Sequence, residues 1–160
     1  MALNLPDTIK FVITDFDGIV TDNCVYIDSK GEMTRKINFK DVMAFSILRK
    51  NGYHIGIVSG EKNSAIEIIA KKFKVEEVHQ DIRVKIDVIK SIIERYNLKE
   101  DEFVYIGDDI NDLESLKFAK YAITVPDAVN QVKAIEGIQI TTAHGGNGAF
   151  REIVDCLVNS

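Results

Sequence analysis

Three buried-strand runs in this chain each stop at a cluster of small and acidic residues, and that coincidence limits what it can fold into. Phe11-Val12-Ile13 leads through Thr14 to Asp15-Phe16-Asp17-Gly18. Tyr53 to Val58 leads to Ser59-Gly60, and Phe103 to Ile106 leads to Gly107-Asp108-Asp109. Short apolar strands of this kind belong to parallel sheets covered on both faces. Between them the spacing is helical. Asp41 to Lys50 carries Val42, Phe45 and Leu48 and stops at Asn51-Gly52, and Asn63 to Lys72 leads a stripe of Ile66, Ile69, Ala70 and Phe73. Lys85 to Tyr96 sets Ile86, Ile89, Ile93 and Tyr96 on one predicted face.

The remaining elements fit the same alternation. Val75 to His79 and Tyr121 to Val125 read as strands, and Asn111 to Ala119 and Ala128 to Ala134 as helices. Ile138 to Thr141 reads as extended, and Ala149 to Leu157 as a last helix after Gly145-Gly146-Asn147-Gly148. The one departure is Asp22 to Phe39. There Val25-Tyr26-Ile27, Asp28-Ser29-Lys30-Gly31 and Met33 to Phe39 read as a β-hairpin too polar for the core, hence a flap. The fold class expected is α/β, with a mainly parallel sheet flanked by helices.

With 160 residues, the chain is expected to form one domain, 1–160. A net charge of −5 without a long basic run argues against a nucleic-acid partner. No apolar stretch reaches membrane-spanning length, and Met1 to Lys10 holds no signal-peptide core. Cys24 and Cys156 lie far apart, as two reduced cysteines of a cytoplasmic protein would.

In a strand, residues i and i+2 share a face, so Asp15 and Asp17 can point at one spot. Taken alone, the pair reads equally well as a solvated Asp-Gly turn. The second acidic cluster weighs against that. In open α/β sheets, ligands bind at the carboxyl ends of the strands. Asp15, Asp17, Asp108, Asp109 and Asp112 would meet there and repel one another without a cation. All-oxygen ligation suits Mg²⁺ above all. A carboxylate beside such an ion can attack phosphorus, and a second carboxyl can move the protons. Asp15 and Asp17 suit those two tasks. Ser59 and the amide of Gly60 can donate to phosphate oxygens, and Lys85, opening a helix, can supply positive charge. By itself Lys85 reads equally as a solvated lysine.

These residues resemble the haloacid-dehalogenase superfamily of phosphatases over nearly the whole chain. Asp15-Phe16-Asp17-Gly18-Ile19-Val20-Thr21-Asp22 is similar to its first motif, DxDGxxTD. Ser59 matches the second, Lys85 the third, and Gly107-Asp108-Asp109-Ile110-Asn111-Asp112 the fourth, GDDxND. The resemblance implies Asp15 as nucleophile and Asp17 as general acid/base. It implies Mg²⁺ held by Asp15, the main-chain carbonyl of Asp17, and Asp108, with Asp109 and Asp112 as supporting acids.

The intervals from Asp15 to Ser59 and from Ser59 to Lys85 leave no room for an inserted cap domain. The chain therefore resembles the capless branch, which includes the 3-deoxy-manno-octulosonate 8-phosphate and nonulosonate 9-phosphate phosphatases. Gly145 to Glu152 is similar to that branch's GGxGAxRE tail, which makes Arg151 a candidate substrate contact. The branch implies a homotetramer acting on a small sugar phosphate, with neighbouring subunits covering an otherwise open site. Glu61 with Lys72 resembles the pair of the nine-carbon enzymes, and Lys40-Asp41-Val42 departs from the Arg-Asp-Gly of the eight-carbon ones. The nonulosonate 9-phosphate is thus the slightly favoured substrate, with the octulosonate 8-phosphate next to it. Lys72 also reads as part of a solvated face with Lys71 and Lys74.

Three rivals are weaker. A response-regulator receiver would carry an aspartate where Ser59-Gly60 stands. A non-catalytic phosphatase-like module would have lost motif residues, and a phosphomutase would need a cap. His54, His79 and His144 receive no role, although His144 lies near the glycine tail.

Overall fold

The Phe11–Thr14 strand, β1, is wholly buried and sits near the middle of a six-stranded sheet. The computed structural model describes residues 2–159. The hairpin strands β2 (Thr21–Ile27) and β3 (Met33–Ile37) follow, then helix α1 (Phe39–Lys50) and strand β4 (His54–Val58). Next come α2 (Ser64–Phe73), β5 (Glu77–His79), α3 (Lys85–Arg95) and β6 (Phe103–Ile106). The chain continues with α4 (Leu113–Phe118), β7 (Tyr121–Thr124), α5 (Asn130–Lys133), β8 (Gln139–Ile140) and α6 (Ala149–Val158). A single 3-10 turn, Ile110–Asp112, precedes α4.

The sheet order is β5-β4-β1-β6-β7-β8, and every pairing within it is parallel. From β1 the chain steps one way to β4 and β5, then returns past β1 to β6, β7 and β8. Right-handed crossovers therefore put α1 and α2 on one face and α3, α4 and α5 on the other. The packing agrees: α1 lies against α2 and α6, and α4 against α3 and α5. The reversal between β1 and β6 is a topological switch point, where strand ends part and leave a crevice. The α/β class, the parallel sheet and the flanking helices are those expected from the alternation.

Local chemistry fixes the helix ends. Asn38 caps α1 by accepting from Lys40 N–H, and Asn63 caps α2 by accepting from Ile66 N–H. On α3 the buried stripe is Ile86, Ile89 and Ile92; Ile93 is only partly buried. Helix α6 has no side-chain cap of its own. The buried Asp41 of α1 serves it instead, accepting from the N–H groups of Gly148 and Arg151 at 3.0 Å each. Phe45 meets Phe150 across the same contact, ring centroids 4.8 Å apart. Core side chains such as Phe11, Ile13 and Ile106 are fully enclosed, each stabilising the fold by about 1.5–3 kcal/mol. Among the described residues no helix is long and apolar enough to cross a membrane.

The hairpin stands apart from the main sheet as its own two-stranded unit. Its register shifts between Thr21 and Val25, where Asn23 takes a left-handed backbone (φ 64°). Beyond that bulge the pairs run Val25 with Arg35, Tyr26 with Thr34 and Ile27 with Met33. The strand ends beside the polar tip are apolar and exposed: Tyr26 is 71% accessible, and Ile27 and Met33 are more than half accessible.

Candidate active site

At the switch point a pocket of about 150 Å³ opens over the ends of β1, β4 and β6. Seven residues singled out in the sequence line it: Asp15, Asp17, Ser59, Gly60, Glu61, Asp108 and Asp109. Asn23 from the bulge and Asn111 complete the wall. A water takes about 30 Å³ of liquid, so the pocket has room for a tetrahedral oxyanion.

Asp15 is buried and held by one oxygen. Its Oδ1 accepts from Phe16 N–H at 2.7 Å and lies 3.0 Å from Lys85 Nζ. Among the described residues Oδ2 takes no hydrogen bond, so it is the freer of the two oxygens. Gly18 permits the turn that follows. Its φ is +91°, and a Cβ there would fall on the Asp108 carboxylate.

Lys85, at the start of α3, does not line this pocket. It lies behind Asp15 with its side chain fully enclosed, its Nζ also 2.8 Å from Asp112 Oδ1. Burial by itself would lower the Lys85 ammonium, but Asp15 and Asp112 hold it above its ordinary value. Asp112 is a brace. Its Oδ1 also accepts from Tyr105 Oη at 2.6 Å, and its Oδ2 from the N–H groups of Asp108 and Asp109. Asp109 accepts from Ile110 N–H at 2.6 Å and, with Asp112, forms a capping box on the 3-10 turn.

Ser59 accepts from Glu61 N–H at 3.2 Å, which leaves its hydroxyl proton for a ligand. Asp17 carries a contact with no local signal in its own motif. Arg35, reaching in from β3, donates from Nε to Oδ1 at 2.8 Å and from Nη2 to Oδ2 at 3.1 Å. Thr21 Oγ1 donates to the same Oδ1 at 3.0 Å.

The carboxylates fit a divalent cation. Asp15, Asp108 and Asp112 each offer an oxygen within 4.8 Å of the others. Asp112 is already committed to four donors, so Asp15 and Asp108 are the pair with coordination to spare. Asp108 Oδ1 is buried without a hydrogen-bond partner, a position that calls for a proton or a cation. Burial, Asp112 and Asp108 push Asp15 well above the usual carboxylate range despite Lys85. Burial, Asp112 and Asp109 likewise push Asp108 up to about 7. Oxygen donors with this much mutual repulsion suit a hard ion such as Mg²⁺.

The model of the haloacid dehalogenase-like hydrolases matches residues 66–153, more than half of the chain. The chain belongs to that family. It is similar to the 3-deoxy-D-manno-octulosonate 8-phosphate phosphatase KdsC of Haemophilus influenzae, 26% identical over 96% of this chain and 85% of that one. Among solved structures it is similar to the 3-deoxy-D-manno-octulosonate 8-phosphate phosphatase of Moraxella catarrhalis, crystallised with magnesium, phosphate and KDO. There the TM-score is 0.89 and the identity 27%, over 96% of this chain and 87% of that chain. A HAD family hydrolase from Streptomyces avermitilis is 32% identical, with a TM-score of 0.89 over 98% of this chain and 89% of that one.

Other candidates of this hydrolase lie outside the pocket. Lys72 is exposed near the far end of α2, its Nζ 5.5 Å from the Phe73 ring centroid. Arg151, near the start of α6, pairs with Asp155 at 2.7 Å. Within the chain, then, Glu61 and Lys72 are not brought together. His144 is exposed, 3.4 Å from Asp127. His54 is also exposed, 3.2 Å from Glu76, and stacks on Phe11. His79 lies 2.7 Å from Glu77.

Arg35, Tyr105 and Asn23 were not anticipated. Tyr105 alone had a visible signal, because a tyrosine inside a buried aliphatic strand needs a partner for its hydroxyl.

Proposed function

We propose that this hydrolase is a Mg²⁺-dependent phosphoric monoester hydrolase that removes the terminal phosphate of a 3-deoxy-2-ulosonic acid sugar. The observation that carries the reading is Asp15: one oxygen is tethered by Phe16 N–H and Lys85 and the other takes no hydrogen bond, while Asp108, whose Oδ1 has no partner, offers an oxygen within 4.8 Å of an Asp15 oxygen. Asp15 Oδ2 attacks phosphorus, forming an aspartyl phosphate as the bond to the sugar oxygen breaks. Asp17 gives that oxygen its proton, then takes one from the water that attacks the aspartyl phosphate and frees inorganic phosphate. Ser59 and the Gly60 amide hold phosphate oxygens, and Lys85 offsets the charge of Asp15. Mg²⁺, held by Asp15, Asp108 and the Asp17 carbonyl, supplies screening of the phosphate's negative charge.

The named relatives support the eight-carbon octulosonate 8-phosphate as substrate. Glu61 on the pocket wall supports the nine-carbon alternative, because it can accept from sugar hydroxyls; Lys72 adds to it only if a neighbouring subunit supplies the residue. The same reading takes residues 1–160 as one domain acting in the cytoplasm as a homotetramer. The exposed flap residues Tyr26, Ile27 and Met33, with Phe39 at 84% accessible, support self-association.

A phosphate-release screen over sugar phosphates, including ulosonate 8- and 9-phosphates, tests the function. Release from neither ulosonate, with faster release from another sugar, would overturn the substrate class. Sedimentation of an active monomer would overturn the assembly.

A further inference from the structure

The flap has no place in the main sheet, yet one of its side chains is held against a carboxylate of the pocket wall. Along β3 successive residues face opposite ways. Lys36 points outward to Asp22, its side chain 55% accessible, whereas Arg35 points inward with 8%. Its guanidinium meets Asp17 as a two-pronged fork, one nitrogen on each oxygen.

Each carboxylate oxygen offers two lone-pair positions. On Asp17 Oδ1 both are taken, one by Arg35 Nε and one by Thr21 Oγ1. On Oδ2 one is taken by Arg35 Nη2, which leaves a single position for any other partner. We propose that Arg35 is a positioning residue for Asp17: with Thr21, it fixes the carboxyl plane and leaves one lone pair of Oδ2 as the place where the proton is exchanged. The flap thereby sets the geometry of proton transfer, and the bulge at Asn23 sets the flap register that brings Arg35 inward. The inference rests on the assignment of Asp17 as general acid/base and adds the group that aims it.

The test uses Arg35→Ala and Arg35→Lys with two aryl esters, phenyl phosphate and p-nitrophenyl phosphate. Nitrophenolate leaves readily without a proton; phenolate, the stronger base, needs one more. The ratio kcat/KM reports formation of the aspartyl phosphate. Arg35→Ala should lower it at least tenfold for phenyl phosphate and less than threefold for p-nitrophenyl phosphate. Since the second step needs Asp17 as base, the variant should also release a burst of p-nitrophenol before a slower steady rate. Arg35→Lys keeps the charge without the fork and should show the same substrate contrast. In an Asp17→Asn background, Arg35→Ala should cost less than a further twofold. Equal losses of kcat/KM on both esters, in whichever variant folds with the parent's circular dichroism, would overturn the inference and leave the phosphatase reading standing. Hydrolysis of neither ester nor any sugar phosphate by the parent would remove both.

Discussion

The Lys85 ammonium lies 3.0 Å from the Asp15 carboxylate, the lysine wholly enclosed and the aspartate buried except where it lines the pocket. With Asp112 2.8 Å away on its other side, Lys85 is a single cation between two buried anions. Replacing it leaves both uncompensated, at a cost of about 3–5 kcal/mol for a broken buried pair. Lys85→Met should therefore lower the thermal midpoint and abolish turnover together. A variant as stable as the parent would show that the two carboxylates do not depend on this ammonium.

Asp15→Asn should separate the two properties. The amide keeps the shape of the carboxylate and removes one charge from a group that burial and neighbouring acids already push well above the ordinary range. Stability should be equal or higher while turnover disappears, the trade expected at a strained site. Turnover within tenfold of the parent would remove Asp15 as the nucleophile.

Asp17→Asn should leave binding intact and slow the reaction by about 10²–10⁴, the range of general acid–base catalysis. Steady-state rates on a sugar phosphate are the check. An unchanged rate would move proton transfer to another group.

Chelation should stop activity, and Mg²⁺ should restore it. The ion should also stabilise the fold, by about 2.7 kcal/mol at a hundredfold excess over its dissociation constant. Thermal melts against Mg²⁺ concentration measure this directly. Asp108→Asn should remove most of the shift, and a shift of parental size in that variant would place the ion elsewhere.

A pH effect belongs to the opposite end of the sheet edge. Burial would raise the Glu77 carboxyl, but Arg95 at 2.7 Å and His79 hold it below its ordinary value. For a carboxylate with a lowered folded pKa, stabilisation is present above the unfolded value and lost as pH falls through the folded one. The parent should thus be more stable than Glu77→Gln at neutral pH. That advantage should shrink as the pH drops below 4.5. Melts of the two proteins in parallel would show it, and a gap that widens on acidification would reverse the assignment.

What could be foreseen in the sequence followed the range of each interaction. Strand runs, helix stripes and the Asp, Ser and Gly clusters at strand ends are local signals, so the parallel sheet and most of the pocket wall could be placed. The rotation of α3 could not, because Ile92 and Ile93 are adjacent and both fit an apolar stripe; the structure buries Ile92 more deeply. The Arg35–Asp17 fork joins residues eighteen positions apart across a bulge. A one-residue change in register would turn Arg35 to solvent, and nothing in Asn23 announces the bulge. Lys72 shows the same limit from the other side. Its helix was legible, but not that its basic end lies away from the pocket that its first turn approaches.

Gly145 and Gly146 lie directly against the loop that follows Asp17. A Cβ on Gly145 would fall on the Gly18 carbonyl oxygen, and one on Gly146 on the backbone at Thr21 and Asp22. Gly146 N–H also donates to the Ile19 carbonyl at 2.9 Å. This backbone-to-backbone contact has a consequence for the order of synthesis. A ribosome adds roughly 5–20 residues per second, and Asp15 is made well before Gly146. The aspartate's loop gains this contact only when residue 146 has left the exit tunnel. During synthesis the loop after Asp15 therefore waits for the turn that leads into α6 before its backbone contacts are complete.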